Sequence, residues 1–346
     1  MSKTLQDYAT LINDTIQSNE INHYITTDNM CQNLGGIDTF KNINIPQGKV
    51  RSFQKDDVLL SNIRLYFRKV YRAKQKGGCS SDVLVFRAKH IDSTTLFAIL
   101  SSQIFTDYAC SGSQGSKMPR GNKTHMMNFK IPTINFTIAK IFNSIQNKIE
   151  NNHKINELLH TLAYKIYEYY FKYKPKNAKL EQIIIENPKS NIMVKNAQKT
   201  QDKYPFFTSG DNILSYPKAI IDGRNCFLNT GGNAGIKFYV GKASYSTHTW
   251  CICANEFSDY LYLLLSSIKN HINQSFFQGT SLKRLQKNLL KKYPIYMPSA
   301  HEIKKFNQII IPLLTLISIN TRTSKKLEQI RDFLLPLLLK QQVKPQ

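Results

Sequence analysis

Two stretches of the chain carry apolar side chains at steps of mostly three and four residues, the spacing of one face of an α-helix. In the first stretch these positions are Ile138, Phe142, Ile145, Ile149, Ile155, Leu159, Leu162 and Ile166. In the second they are Ile303, Phe306, Ile310, Leu313, Ile317, Leu327, Ile330, Leu334 and Leu338. Asn152 interrupts the first stripe, and Asn320 and Ser324 interrupt the second.

Such narrow stripes with polar outer faces predict two coiled-coil seams. We place the seam positions at Ile145, Ile149, Asn152, Leu159, Leu162, Leu313, Ile317, Asn320, Leu327, Ile330 and Leu334. The alternative is that each helix packs only on its own domain. The first helix is predicted from Thr137 to Tyr173, roughly 55 Å at 1.5 Å per residue, a length typical of a spacer. In the second helix we expect a kink at Pro312 and a fraying end at Pro336.

Short β-prone runs bounded by Gly, Asn and Asp precede each long helix. The predicted strands are Val58–Ile63, Val83–Arg87, Ala219–Asp222, Cys226–Asn229, Lys237–Val240 and Thr249–Cys253. Short helices are predicted at Leu96–Phe105 and Asp259–Ser275, and the polar stretch Lys174–Lys203 is predicted to connect the first long helix to the second globular part. The sequence therefore predicts a mixed α/β fold in the order globular, helix, globular, helix.

An internal repeat relates the two parts. Gln114-Gly115-Ser116 recurs as Gln278-Gly279-Thr280, at an offset of 164 residues. The same offset relates Arg120 to Arg284, Lys123 to Lys287, and Phe142-Asn143 to Phe306-Asn307. A run of matches in the same order at one offset indicates two related halves with pseudo-twofold organisation.

The charge balance points to a polyanionic partner. Of 346 residues, 47 are Lys or Arg and 23 are Asp or Glu, so the formal net charge is +24. Nucleic acid is the first candidate for such a chain. An AT-rich genome is the alternative source of lysine, but it does not account for the shortage of acids. The length suggests about two domains, and 41% apolar residues exclude wholesale disorder.

Other features narrow the setting. The longest apolar run, Ile309–Ile319, is too short to cross a bilayer, and the N-terminus lacks the apolar core of a signal peptide. We therefore expect a cytoplasmic protein without a membrane partner. The six cysteines are scattered without CxxC pairs, which favours reduced thiols and no metal site.

Catalytic motifs are missing from the sequence. Asn187-Pro188-Lys189 lacks the second proline and the aromatic residue with which adenine methyltransferases hold a flipped base. The glycine-rich run 230–235 has no following helix and no Gly-Lys-Ser/Thr, so a hairpin turn is favoured over a phosphate loop. We predict no catalytic residue, no metal and no cofactor in this chain, which makes it a non-enzyme.

Basic and amide side chains suited to DNA cluster near the predicted strand ends and the repeated Gln-Gly-Ser/Thr. Arginine reads guanine, Asn and Gln read adenine, and lysine neutralises phosphate. The candidate DNA-binding residues are Asn62, Arg64, Arg68, Lys69, Arg72, Gln114, Lys117, Arg120, Asn122, Lys123, Ser209, Asn212, Asn229, Asn233, Lys237, Gln278, Lys283, Arg284 and Lys287. The alternatives are a solvated charged face and, for the Gly-Ser-Lys segment, a structural turn that starts a helix.

Several of these stretches resemble the DNA specificity (S) subunits of type I restriction-modification systems. The first recognition domain of that family resembles DVLLSNIRLYFRK (57–69), GGCSSDVLVFRAK (77–89) and GSKMPRGNK (115–123). The second resembles YPFFTS (204–209), NTGGNAG (229–235) and residues 260–265, and IRDFLLP (330–336) resembles the distal helix. The first long helix ends differently, in AYKIYEYYF (163–171).

The resemblance implies two target recognition domains, at 1–135 and 174–298, and two spacer helices, at 136–173 and 299–346, packed antiparallel as a rod. It implies that each domain reads one half of a split site on double-stranded DNA. The implied partners are two methyltransferase (M) subunits, which carry S-adenosylmethionine, and restriction/motor (R) subunits, which use ATP and Mg²⁺.

Three other interpretations stay open from the sequence. A recognition half shed from a fused restriction-methylation enzyme would show the same domains. An RNA-binding module would expose aromatic residues on a sheet. A coiled-coil adaptor would explain the helices but leave the repeated basic loops unused.

Overall fold

The computed structural model describes residues 3–38, 43–197, 203–210 and 213–339. The chain divides into two compact units, one of residues 1–151 with 325–346 and one of residues 152–324. The division falls inside both long helices. Each unit therefore contains a globular part together with a segment of each helix.

The described residues of the first unit form eight strands and four short α-helices before the first long helix. The strands are β1 (Ala9–Ile12), β2 (Thr15–Gln17), β3 (Tyr24–Ile25), β4 (Lys49–Phe53), β5 (Val58–Ser61), β6 (Val70–Arg72), β7 (Gly77–Cys79) and β8 (Val83–Ala88). The helices are α1 (Leu5–Tyr8), α2 (Ser93–Ser101), α3 (Gln103–Ser111), α4 (Lys123–Met127) and the long α5 (Phe136–Tyr167), which ends in a π-helical turn at Glu168–Lys172.

The central sheet of the first unit is antiparallel, with strand order β1-β8-β5-β6. Its side chains alternate between two cores because successive residues of a strand point to opposite faces. Val58 and Leu60 pack with helices α2 and α3, whereas Leu59 packs with residues of the second sheet, β2-β4-β7-β3. The unit is thus layered as helices, central sheet and second sheet.

The second unit begins within α5 and ends within the second long helix. Its strands are β9 (Ala178–Lys179), β10 (Ile185–Glu186), β11 (Tyr204–Phe207), β12 (Leu214–Tyr216), β13 (Arg224–Asn229), β14 (Ile236–Val240), β15 (Ser244–Tyr245), β16 (Thr249–Cys253), β17 (Phe277–Gln278), β18 (Arg284–Leu285) and β19 (Pro294–Ile295). Its helices are α6 (Val194–Ala197), α7 (Ser258–Ser267), α8 (Lys269–Ser275), α9 (Lys287–Lys291) and the long α10 (Ala300–Leu338).

The central sheet of the second unit, β10-β16-β13-β14, repeats the arrangement of the first. Alternation also recurs, since Cys226 and Leu228 face the large core with α7 while Phe227 faces the smaller core beneath β11 and β15. Helix α4 begins at Lys123 and α9 at Lys287, so the offset of 164 residues holds for this pair of helices as well. The expected mixed α/β fold is confirmed, and the repeat in sequence is a repeat in topology.

Polar residues of α5 and α10 meet inside the second unit. The Asn152 side chain donates to the Ser324 hydroxyl at 3.1 Å, and that of Asn320 donates to the Asn156 side chain at 3.0 Å. The contacts advance along α5 from Asn152 to Asn156 while they move back along α10 from Ser324 to Asn320. The two segments therefore run antiparallel here. The predicted interruptions of the stripes are therefore hydrogen-bonded to each other, as Asn152 and Ser324 are, or to Asn156, as Asn320 is.

Two predicted seam positions are corrected by the structure. Ile149, Asn152 and Ile317 are buried, and Ile145, Leu159, Leu313, Asn320, Leu327 and Leu334 are half-buried. Leu162 and Ile330, in contrast, are 48% and 49% exposed. The buried positions at these turns are the adjacent Ala163 and Arg331.

Arg331 occupies an interior position because its charge is bound within the first unit. Its guanidinium donates to the Gln146 side-chain oxygen at 3.0 Å and contacts Asp332. Gln146 in turn donates to the carbonyl of Leu34 at 2.6 Å. The sequence pattern does not predict a buried position here, since a lone arginine is expected on the surface.

Several element boundaries differ from the predictions. The strands around Val58, Val83, Cys226, Lys237 and Thr249 are confirmed, and residues 230–235 connect β13 to β14 as the expected hairpin turn. Residues 219–222 form no strand but only a bridge between Ile221 and Ala243. The predicted connector 174–203 contains β10, an edge strand of the central sheet.

The predicted short helices are each split in two. Ser102 is extended and caps the second of its pair by accepting the backbone N–H of Phe105, so the helix breaks there. Pro312 lies on an exposed face of α10, and α10 continues to Leu338, two residues past Pro336. None of the helices within the described ranges is long and apolar enough to cross a membrane.

Candidate nucleic-acid interface

The repeated Gln-Gly-Ser segment of the first unit forms a closed turn, which we call the first loop (residues 114–120). Gln114 and Arg120 face each other and exchange two backbone hydrogen bonds, of 2.9 and 2.8 Å. Gly115 has φ +96°, a left-handed conformation that L side chains rarely adopt. Glycine at this position therefore lets the chain reverse within the loop.

Backbone bonds fix the first loop to the end of the central strand β5. The N–H of Gly121 donates to the carbonyl of Asn62 at 3.1 Å, and the N–H of Arg64 donates to that of Pro119 at 2.9 Å. Asn62 also donates its N–H to the carbonyl of Asp82 at 2.8 Å, next to β8. The loop is therefore positioned by the sheet rather than free in solvent.

The second loop (residues 278–284) is built in the same way on β13. Gln278 pairs with Arg284, and Gly279 has φ +135°. The N–H of Leu285 donates to the carbonyl of Thr230 at 3.1 Å, and that of Gly232 donates to Lys283 at 2.9 Å.

The equivalences between the loops extend to the strand ends. Thr230 donates its N–H to the carbonyl of His248 at 3.2 Å, as Asn62 does to Asp82. Arg64 (φ 51°) and Gly232 (φ 80°) are both left-handed, and each donates to the residue just before the loop arginine. The two halves thus preserve a backbone construction even where their side chains differ.

Charged and amide side chains project from both loops. The exposed candidates are Gln114, Lys117, Arg120, Asn122 and Lys123 in the first unit, and Asn233, Gln278, Lys283 and Arg284 in the second. Asn122 also caps α4 by accepting the N–H of His125 at 3.0 Å. The loops therefore present guanidinium, ammonium and amide groups together, which suits contacts to phosphates and base edges.

The arginines of the two loops differ in their neighbours. The Arg120 side chain is 62% exposed and forms an ion pair with Asp82 at 2.9 Å. In the part of the chain that the structure describes, Arg284 forms no ion pair. His248 stands in the second unit where Asp82 stands in the first, as judged by the matching backbone bonds. Among the described residues, no acid therefore neutralises the arginine of the second loop.

Five candidate side chains are bound by other groups within the fold. Arg68 donates to the carbonyl of Ser101 at 3.0 Å, and burial lowers its pKa. Lys69 donates to Thr27, Arg72 pairs with Asp56 at 2.9 Å, Lys237 donates to Thr208 at 2.8 Å, and Ser209 donates to His248. The carbonyl groups and acids that hold these side chains come from distant segments, so the local sequence does not show them.

Asn62 and Asn229 are buried at the strand ends, with 9% and 7% exposure. Asn229 donates to the carbonyl of Asn233 at 3.1 Å and so supports the β13–β14 turn. Arg64 is half-buried and donates to the carbonyl of Lys117 at 3.3 Å, which braces the first loop. Asn62, Asn229 and Arg64 therefore lie beneath the exposed loop residues and support their positions. Asn212 lies outside the described residues.

Lys287 lies against the chain's single tryptophan. Its Nζ is 5.0 Å from the centroid of the Trp250 ring, and the Trp250 indole donates to Glu186 at 2.7 Å. Burial lowers the pKa of Lys287. The ammonium group is thus held in a fixed place beside the second loop. Sequence reasoning missed Trp250 and Asp82, because neither lies within the repeated motif.

Both the sequence and the fold of the chain are similar to known proteins. Residues 176–329 match the sequence profile of the type I restriction modification DNA specificity domain. The chain superposes on the crystal structure of the type I restriction-modification system S subunit from M. genitalium with a TM-score of 0.65 and 13% identity, covering 99% of this chain and 96% of that one. Residues 176–329 therefore match a type I restriction modification DNA specificity domain, the chain as a whole shares the fold of an S subunit, and the resemblance seen in the sequence is confirmed.

Two other solved structures match less closely in overall superposition. One is the HsdS subunit from Thermoanaerobacter tengcongensis, with a TM-score of 0.37, 13% identity, and coverage of 98% of this chain and 96% of that one. The other is from work on complex assembly and conformational transition of the type I R-M system, with a TM-score of 0.37, 12% identity, and coverage of 98% and 97%. No curated protein matches the sequence.

Proposed function

We propose that this chain reads a bipartite site on double-stranded DNA, with one half-site read by each unit. The observation that carries the proposal is the pair of loops, each held at the end of a central strand by the same backbone hydrogen bonds. A construction repeated in two halves, with Gln and Arg at the same positions, suits two similar recognition tasks on one polymer.

The charges support DNA as that polymer. Lys117, Arg120 and Lys123 of the first unit and Lys283, Arg284 and Lys287 of the second lie in or directly beside the loops. Lysine contacts to phosphates give affinity that depends on salt, whereas arginine contacts to guanine edges give sequence preference. An RNA-binding role is less well supported, because Phe206, Phe227 and Trp250 of the second unit's sheets are buried and not presented for stacking.

In this proposal the chain recognises the DNA sequence and its partner subunits carry out the reactions. Two methyltransferase subunits with S-adenosylmethionine modify adenine, and restriction/motor subunits with ATP and Mg²⁺ cut the DNA. Helices α5 and α10 act as the antiparallel coiled-coil spacer between the recognition domains, and the complex works in the cytoplasm. The buried Asn152–Ser324 contact and the half-buried Asn156–Asn320 contact support the spacer role, because polar pairs between helices commonly fix helix register.

The test is methylation by purified components. The chain alone, incubated with DNA and S-adenosylmethionine, is expected to transfer no methyl group. With the methyltransferase subunit, adenine methylation is expected at a site made of two short specific sequences separated by a non-specific gap. Methyl transfer by the chain alone, or methylation by the complex that does not depend on the chain, would overturn the proposal.

A further inference from the structure

Both loops carry a large apolar side chain that is exposed to solvent. Met118 in the first loop is 54% exposed, and Leu282 in the second loop is 57% exposed. The two residues are related by the same 164-residue offset as the glutamines and arginines that close the loops. The apolar residue is thus part of the repeated construction.

The backbone holds these two side chains at corresponding places. In both loops the glycine lies against the carbonyl of the apolar residue. A Cβ built on Gly115 would lie 3.7 Å from the Met118 oxygen, and one built on Gly279 would lie 2.6 Å from the Leu282 oxygen. The turn therefore brings the apolar residue back over the glycine and leaves its side chain outside the loop.

Basic groups flank each apolar side chain. Lys117 and Arg120 accompany Met118, and Lys283 and Arg284 accompany Leu282, and all four are exposed. A single exposed apolar residue is ordinary on a protein surface. An apolar residue at the same place in two basic loops is better matched to DNA, where it can touch a thymine methyl group or enter between bases while the cations hold phosphates.

We infer that Met118 and Leu282 are apolar base contacts, one in each half-site, carried by loops whose basic residues hold the phosphates. This inference rests on the proposed function. It adds that part of the sequence preference comes from apolar contact with bases, which no charge or amide group of the loops supplies.

The test uses the full chain assembled with its methyltransferase subunit and duplexes carrying the mapped site. Leu282→Ala is expected to weaken the specific duplex about tenfold, since apolar burial on binding is lost. Its salt dependence is expected to match that of the unchanged chain, since no cation is removed. Leu282→Met keeps an apolar side chain and is expected to bind nearly as well. Met118→Ala is expected to act in the same way on the other half-site, with Met118→Leu as its conservative partner.

Ile104→Ala is the matched control, because Ile104 is 44% exposed on α3 of the first unit and lies outside the loops. It is expected to leave DNA affinity unchanged. Two DNA substitutions locate the contact. Deoxyuridine in place of thymine removes one methyl group, and 2-aminopurine in place of adenine brightens when a base is unstacked. For the unchanged complex we expect either weaker binding of the deoxyuridine duplex or brighter 2-aminopurine fluorescence on binding. For the Leu282→Ala complex we expect neither change.

Failure of the inference and failure of the proposed function give different results. If the unchanged complex shows no preference for the mapped site, the proposed function fails. If it shows the preference and both alanine variants keep the full affinity, the inference is overturned. It is also overturned if Leu282→Ala loses the methyltransferase subunit on purification while its DNA affinity is unchanged, because the side chain then contacts protein.

Discussion

Arg120 donates its backbone N–H to Gln114 at 2.8 Å and accepts the N–H of Gln114 at 2.9 Å. The same pairing joins Arg284 to Gln278 in the second unit. Because this pairing is made by the backbone, it fixes the position of each residue without using its side chain. The loops therefore offer arginine and glutamine in a geometry prepared by the fold, and this arrangement leads to the predictions that follow.

Replacing the arginine of the second loop is expected to change specificity. Arg284→Ala should cost about 1 to 3 kcal/mol of DNA binding and relax the sequence preference in one half-site only, if the guanidinium reads a base edge. Lys287→Ala should weaken all sequences alike and flatten the salt dependence by about one unit, as loss of one phosphate contact does. Titration of matched and mismatched duplexes at two salt concentrations, with the methyltransferase present, separates the two effects. If Arg284→Ala leaves affinity and specificity intact, the second loop is only a structural turn.

Removing the acid beside the first loop is expected to strengthen DNA binding. Asp82→Asn takes away the carboxylate that pairs with Arg120 at 2.9 Å and leaves that arginine available for DNA. Protein stability should change by less than about 1 kcal/mol, since exposed ion pairs contribute little. Asp56→Asn is the matched control, because it removes the same charge from a pair with Arg72. An equal gain in affinity for both variants, measured by the same titration, would show that only net charge matters.

The two loop glycines are expected to differ in their tolerance of alanine. In Gly279→Ala the new Cβ would meet the Leu282 carbonyl at 2.6 Å, so the second loop must rearrange. In Gly115→Ala the nearest carbonyl is at 3.7 Å, so the added cost is mainly the left-handed backbone, about 1 to 2 kcal/mol. Thermal unfolding and DNA titration of both variants should show the larger loss for Gly279→Ala. A larger loss for Gly115→Ala would contradict the loop geometry.

The polar contact between the long helices is expected to act as a pair. Ser324→Ala leaves the buried Asn152 amide without its 3.1 Å partner and should lower the free energy of unfolding by about 1 to 3 kcal/mol. Adding Asn152→Leu removes the unsatisfied group and should recover most of that loss. Urea unfolding of the full chain measures both variants. A double variant less stable than Ser324→Ala alone would mean that the site has no room for an apolar replacement.

The sequence predicted the parts of the fold that depend on local pattern. Val58 to Ser61 and Thr249 to Cys253 are strands because β-branched and apolar residues fill both faces of a buried sheet. The repeat predicted the loops, since Gln114 and Arg120 recur together and pair together. Asn152 is recognisable in the sequence because it breaks an apolar stripe.

Long-range partners account for what the sequence could not provide. The roles of Arg68 and Lys69 depend on carbonyl groups of Ser101 and Thr27, which are far away along the chain. Arg331 is buried because Gln146 binds it, and the spacing of residues along the sequence does not predict this contact. Met118 and Leu282 lie inside the repeat but are apolar, so the pattern of charged and amide groups does not identify them.

The proposed function requires the two halves of the chain to read separate parts of one DNA site. The most direct measurement is a map of methylated adenines in cells that carry the methyltransferase and a chain whose residues 174–298 are exchanged for the corresponding segment of another specificity subunit. We expect one half of the methylated sequence to change while the other half stays the same. A change in both halves, or in neither, would contradict it.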